Sequence, residues 1–163
     1  MSVQIVPIAE RHIEGFHKAI DIVARERKYL AFVQAPPISS TRRFVLANIA
    51  AGHPQFVALD GDEVVGWCDI LPKALEGFTH CAELGIGVLP SHRGRGIGKR
   101  LMQETLTLAK KQNLERVELQ VYASNRAAVS LYEAFGFEVE GIKKRARKID
   151  GVYDDIVMMA LEL

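Results

Sequence analysis

The chain has 163 residues, 48% of them apolar and 25% charged, and a formal net charge of +1. That length suits one domain, spanning 1–163, with a single substantial core, and the composition is ordinary for a soluble globular protein. Near-neutral charge excludes a chain-wide attraction to nucleic acid or to an anionic membrane, so any anion site must be local.

The opening "MSVQIVPIAERH" lacks a basic start followed by a long apolar run, so no secretory signal is expected. No window approaches the roughly 18 apolar residues of a membrane span. Cys68 and Cys81 lie in apolar stretches, outside any CxxC or Cys/His cluster, and read as buried thiols. These features together predict a cytoplasmic protein without a metal site.

"VQIVPI" reads as a first strand. From Ile13 to Arg27, Ile13, Phe16, Ala19, Ile20 and Val23 recur at helical spacing. Pro36 and Pro37 break the pattern, and Ser39 to Thr41 offer capping hydroxyls for a second helix near Thr41 to Ala51, ended by Gly52. "QFVALDGDEVVGWCDILP" places two β-prone runs around a hairpin turn. "HCAELGIGVLP" is a further strand, bounded by Pro90. After a glycine-rich stretch comes a helix carrying Ile97, Leu101, Thr105, Leu108 and Ala109, which ends near Asn113. "RVELQVY" is a strand. "NRAAVSLYEAFGF" is a short helix with an Asn start and a Gly136 stop. "FEVEGIKKRARK", the turn "IDG" and "YDDIVMMALEL" close the chain as a hairpin. The order β α α β β β α β α β β gives a mixed α/β layer structure without linker or repeat. The basic run Lys143 to Lys148 reads as a solvated strand face, because no aromatic residues interleave with it.

The stretch "SHRGRGIGKRLM" holds three glycines and four Lys or Arg side chains where a strand passes into a helix. Gly94, Gly96 and Gly98 give G-x-G-x-G, and the position that would complete a dinucleotide fingerprint is Lys99. Gly98-Lys99 is followed by Arg100, so the P-loop spacing fails as well. The physics behind both motifs still applies. Backbone N–H groups and the positive end of the helix dipole attract phosphate oxygens, and Arg93, Arg95, Lys99 and Arg100 add to that attraction. On these residues alone, a phosphate cradle and a flexible turn both remain open.

The pattern R-x-x-G-x-G from Arg93 to Gly98 resembles the acetyl-coenzyme A loop of the GNAT superfamily of N-acetyltransferases. "AELGIGVLP" and the helix after the loop are similar to that family's central motif. "NRAAVSLYEAFGF" resembles its second signature, N-x-x-A-x-x-L-Y-x-x-x-G-F. The similarity runs from about Gln55 to the C-terminus and is weak before it. The tail "GIKKRARKIDGVYDD" resembles small bacterial enzymes that acetylate amino acids or phosphinothricin. The resemblance implies a mostly antiparallel central sheet with helices on both faces. It also implies acetyl transfer from acetyl-CoA to a primary amine by direct attack, with no metal.

By the same resemblance, backbone amides from Arg93 through Gly94, Arg95, Gly96, Ile97 and Gly98 to Lys99 would hold the pyrophosphate. The strand from Ala82 to Val88 would splay from its neighbour and pair with the pantetheine arm through Ile86 and Val88, and Val88 N–H would stabilise the oxyanion. Strict alternation puts Glu83, Gly85 and Gly87 on one face, which predicts open space beside the acid. Glu83 falls where some relatives carry a catalytic base. Asn125 would contact the pantetheine arm or cap its helix, and Tyr132 would serve the departing thiolate. Arg25, with Arg27 and Tyr29 nearby, and Tyr153 and Asp155 in the terminal hairpin, would form the acceptor pocket. His80 and His92 are alternative proton-handling groups and otherwise read as surface residues. The terminal hairpin is a candidate homodimer contact. A non-catalytic acyl-CoA-binding module is the competing reading, opposed by Tyr132; acetylation of a protein N-terminus is another.

Overall fold

Seven strands form one sheet in the order β1-β2-β3-β4-β5-β7-β6. The structure is a computed structural model and describes residues 2–163. In chain order the elements are β1 (Gln4–Pro7), α1 (Ile13–Arg25), α2 (Ile38–Ala51), β2 (Gln55–Asp60), β3 (Glu63–Pro72) and β4 (Cys81–Val88). They continue with α3 (Ile97–Lys111), β5 (Arg116–Tyr122), α4 (Arg126–Ala134), β6 (Glu138–Ile149) and β7 (Val152–Glu162). The predicted order holds throughout.

Two boundaries differ from expectation. The first helix stops at Arg25 because the chain turns left-handed at Arg27 (φ 59°), where Arg27 binds Asp150 through two nitrogens at 3.0 and 2.8 Å. The second helix begins at Ile38, with Pro37 at the N-cap and no capping hydroxyl. Proline favours the start of a helix, since its fixed φ suits the helix and no N–H there needs a partner. Ser39 to Thr41 therefore lie inside the first turn.

All strand pairs but one are antiparallel. β4 and β5 run parallel, and they pair only from Cys81 opposite Arg116 to Glu83 opposite Glu118. β4 stays paired with β3 as far as Val88, while β5 is paired with β7 along its length. The sheet is thus wedged open along the second half of β4. The hairpins close as the sequence predicts: Asp60 pairs with Glu63 across Gly61 and Asp62, and Ile149 pairs with Val152 across Asp150 and Gly151. Asp150 and Gly151 both have positive φ, as a two-residue turn of this twist requires.

Opposite residues of an antiparallel pair share a face, which sorts the helices. Trp67 and Gly87 face α1, where Phe16 meets the Trp67 ring edge-on at 5.8 Å. Asn48 of α2 donates to Gln55 on the same face at 3.1 Å. Gly66 and Ile86 face the other way, toward Leu101 of α3 and Leu131 of α4. Helices cover both faces, and the core lies in the two layers beside β2, β3 and β4.

Candidate active site

The wedge between β4 and β5 opens into a cavity of about 1140 Å³. Its walls include Glu83 to Val88 of β4, the loop into α3, Gln120 to Tyr122 of β5, Asn125 with one face of α4 that ends at Tyr132, and Tyr29 to Phe32 after α1. Backbone geometry prepares the β4 wall. Lys73 N–H donates to the Cys81 carbonyl at 3.0 Å and Leu89 N–H to the Val65 carbonyl at 2.9 Å, which fixes the alternation of the ladder between them. Residues bonded to β3 alternate with residues whose N–H and C=O point away from it. By that phase Ile86 and Val88 turn their backbone groups toward β5, on the stretch where β5 no longer pairs with β4.

At the loop, Gly94 (φ 74°) and Gly96 (φ 76°) adopt left-handed backbone, and a Cβ on either would meet nothing within 4 Å. Their need is conformational: the turn brings the start of α3, from Ile97 to Lys99, to the cavity wall. α3 has no side-chain cap, so those N–H groups keep their capacity for an anion. Gly98 serves packing instead, since a Cβ there would lie 3.3 Å from Leu131 Cδ2. A chain of N–H donors at a helix start, continued by the open β4 edge, fits a pyrophosphate joined to an amide-bearing arm.

The basic side chains divide. Lys99 lines the cavity, whereas Arg95 stands outside its wall. Arg93 lines it but is engaged with protein. Its guanidinium binds Glu26 at 2.8 and 2.6 Å, its Nε donates to the Val88 carbonyl at 3.0 Å, and it stacks on Tyr29 at 4.7 Å. His92 is not the surface residue expected. It bridges Ser91 Oγ at 2.7 Å and Asp60 at 2.8 Å, and this contact lowers the Asp60 pKa. His80 is exposed.

Asn125 caps α4, its Oδ1 accepting from Ala128 N–H at 3.3 Å, which leaves its amide nitrogen available to the cavity. Tyr132 is buried to 6% exposure beside Phe137 and lines the cavity. Burial, with the nearby Cys68, pushes its phenol pKa up, so the hydroxyl stays a proton donor.

The face of β4 that carries Glu83 is less open than alternation suggests. A Cβ on Gly87 would lie 2.3 Å from the Trp67 ring, and one on Gly85 would lie 3.2 Å from Asp69 Oδ1. The missing side chains are replaced by an indole and a second carboxylate from β3. Glu83 itself is exposed and lines the cavity. Asp69 also lines it, at 8% exposure, and burial together with the charge of Glu83 pushes its pKa up to about 7. Sequence reasoning passed over Asp69. The signal was a lone acid within the apolar strand "VVGWCDIL".

Of the acceptor-side residues, Tyr29 reaches the cavity, whereas Arg25, Arg27, Tyr153 and Asp155 do not. Arg25 is exposed and bound to Asp21 at 2.7 Å. Asp155 accepts from Arg145 N–H at 2.8 Å, and Tyr153 packs under Arg145 and Lys148 at 4.0 and 5.0 Å. The basic run of β6 therefore does meet aromatic rings, supplied across the sheet by Tyr153 and, beneath Arg147 at 4.3 Å, by Tyr122. Among the described residues there is no group of three metal-ligand side chains, and no helix is long and apolar enough to cross a membrane.

A family model described as "Acetyltransferase (GNAT) family" matches residues 22–137. The chain belongs to the GNAT family of acetyltransferases. It is 35% identical over 111 residues to the L-amino acid N-acetyltransferase AaaT of Escherichia coli, covering 67% of this chain and 68% of that protein. It is 29% identical over 119 residues to the L-methionine sulfoximine/L-methionine sulfone acetyltransferase of Pseudomonas paraeruginosa, covering 72% and 69%. Among solved structures, a phosphinothricin acetyltransferase from Sinorhizobium meliloti in complex with acetyl-CoA superposes with a TM-score of 0.92. That match has 19% identity and covers 100% of this chain and 89% of the other.

Proposed function

We propose that this protein transfers the acetyl group of acetyl-CoA to the primary amine of a small molecule of the amino-acid class. The observation that carries the reading is the open edge of β4 leading from the start of α3 to Tyr132. Such an edge can hold an extended amide-bearing arm and bring its thioester to the buried phenol. The amine attacks the thioester carbon directly, Val88 N–H supports the oxyanion, and Tyr132 supplies the proton that the departing thiolate takes. Glu83, on the cavity face of β4, receives the ammonium. Tyr29, stacked on Arg93, forms the acceptor-side wall. The names of the amino-acid-acetylating relatives support the acceptor class.

The test is thiol release from acetyl-CoA, with mass spectrometry of the products, over amino acids, polyamines, aminoglycosides and peptide N-termini. Acetylated α-amino acids are the expected products. Binding of acetyl-CoA without turnover would instead make the protein a sensor module. We further place the enzyme in the cytoplasm, paired with a second copy through β6 and β7, where Val139, Ile142 and Val152 are exposed. Light scattering of the purified protein tests the pairing.

A further inference from the structure

We propose that Asp69 is the group that takes the proton from the acceptor ammonium, while Glu83 beside it holds the cation at the cavity wall. This inference deepens the acetyltransferase reading above and rests on it. The register places the two acids. Asp69 lies opposite Gly85 and Glu83 opposite Leu71, so they occupy one face of the β3–β4 pair as diagonal neighbours. Because Gly85 has no side chain, the Asp69 carboxylate lies over the β4 backbone, where the strand borders the cavity. A longer residue at 85 would occupy that place.

Among the described residues, none supplies Asp69 with a cation. Its opposite neighbour on β2 is Gln55, which is neutral. α1 buries Ile13, Phe16, Ala19, Ile20, Val23 and Ala24, and α2 buries Thr41, Val45 and Asn48, all uncharged. Lys73, at the end of β3, is bound to both carboxylate oxygens of Glu118 at 3.1 and 3.0 Å. Glu83 is the charge that faces Asp69. A nearly buried acid without a cationic partner, beside a second acid and open to a ligand cavity, is completed by a cation from outside. A substrate ammonium is such a cation, and it also carries the proton that must leave before nitrogen can attack.

The proton balance closes. The ammonium gives one proton to Asp69, which passes it to solvent through the open cavity. As the C–N bond forms and the C–S bond breaks, the second proton leaves nitrogen and reaches sulfur by way of the Tyr132 hydroxyl. A carboxyl whose affinity for protons lies near neutrality suits the first step, since a base works best with its pKa near the working pH.

Carbon-13 NMR of aspartate-labelled protein, titrated with and without methylammonium chloride against equal sodium chloride, reads the group directly. Asp69, assigned through Asp69→Asn, should titrate near neutrality. Its midpoint should fall with methylammonium and fall again in Glu83→Gln. Kinetics supply the second reading, with the acceptor found by thiol release. Asp69→Asn should lower kcat/KM by about 10²-fold or more and flatten the acidic limb. Glu83→Gln should keep that limb and move it to lower pH. An Asp69 that titrates as an ordinary carboxylate, indifferent to methylammonium, overturns the proposal. So does an acidic limb that Asp69→Asn leaves in place and Glu83→Gln removes, which would make Glu83 the base. Failure of the wild type to release thiol with any amine would overturn the functional reading, and this inference with it.

Discussion

Arg93 and Glu26 form a two-point ion pair at 2.8 and 2.6 Å that ties the glycine-rich loop to the end of α1. With Tyr29 stacked on the same guanidinium, one side chain joins the wall expected to face the donor to the wall expected to face the acceptor. The pair is partly exposed, so its contribution to stability is about 1 kcal/mol rather than several. Glu26→Gln should lower Tm by roughly 2–4 °C. Arg93→Lys should lose about as much, because an ammonium cannot reproduce the fork. The double variant should lose little more than either single one, which thermal unfolding of all three checks.

The glycines of the site predict different phenotypes. Gly94→Ala and Gly96→Ala meet no neighbour but force a side chain into left-handed backbone, at a cost of about 1 kcal/mol each. Their larger effect should be a raised KM for acetyl-CoA, as the α3 donors lose their aim. Gly87→Ala drives a methyl into the Trp67 ring, and overpacking of this kind costs about 1–3 kcal/mol. Urea midpoints should therefore rank Gly87→Ala below Gly94→Ala, while Gly94→Ala should raise the KM for acetyl-CoA more than Gly87→Ala does.

Tyr132→Phe keeps the packing against Phe137 and removes only the hydroxyl. If the phenol protonates the thiolate, kcat should fall by about 10²-fold while acetyl-CoA affinity stays the same. Single-turnover kinetics and equilibrium binding separate the two. Unchanged kcat would remove the proton-donor role.

Much of this was legible in sequence, and the failures at the site itself come from contacts between distant segments. Pro36-Pro37, Gly52 and Gly136 mark element ends through local backbone chemistry, and the loop from Arg93 to Lys99 is similarly self-contained. The partners of Arg93 and Arg25 differ in kind. Asp21 is one helical turn from Arg25, while Glu26 is 67 residues from Arg93 and meets it only through tertiary packing. Asp69 shows the same limit. Alternation along β4 exposes the gap at Gly85 but not what fills it, because that depends on the β3–β4 register. The acceptor pocket, built where distant segments meet, was the least readable part.

Asp69 also predicts how stability varies with pH. Its pKa is about 7 in the folded protein, against 3.8 for an unperturbed group, so the native state binds this proton more tightly than the unfolded chain does. Between those values the unfolded chain has released the proton while the native state keeps it, and stability falls as pH rises. Each unit is worth about 1.4 kcal/mol, so the full loss by about pH 8 is at most roughly 4 kcal/mol. Asp69→Asn removes a charge the fold opposes without changing the shape of the side chain. The variant should gain urea resistance over the wild type as pH is raised from about 4 to 8, with most of the gain developing below neutrality. Paired unfolding curves at each pH measure that difference directly, with the other carboxylates common to both proteins. A difference constant with pH would mean that Asp69 ionises in the native state as an ordinary carboxylate. A growing gain in stability beside lost turnover would show an acid kept at a cost to the fold for the chemistry it performs.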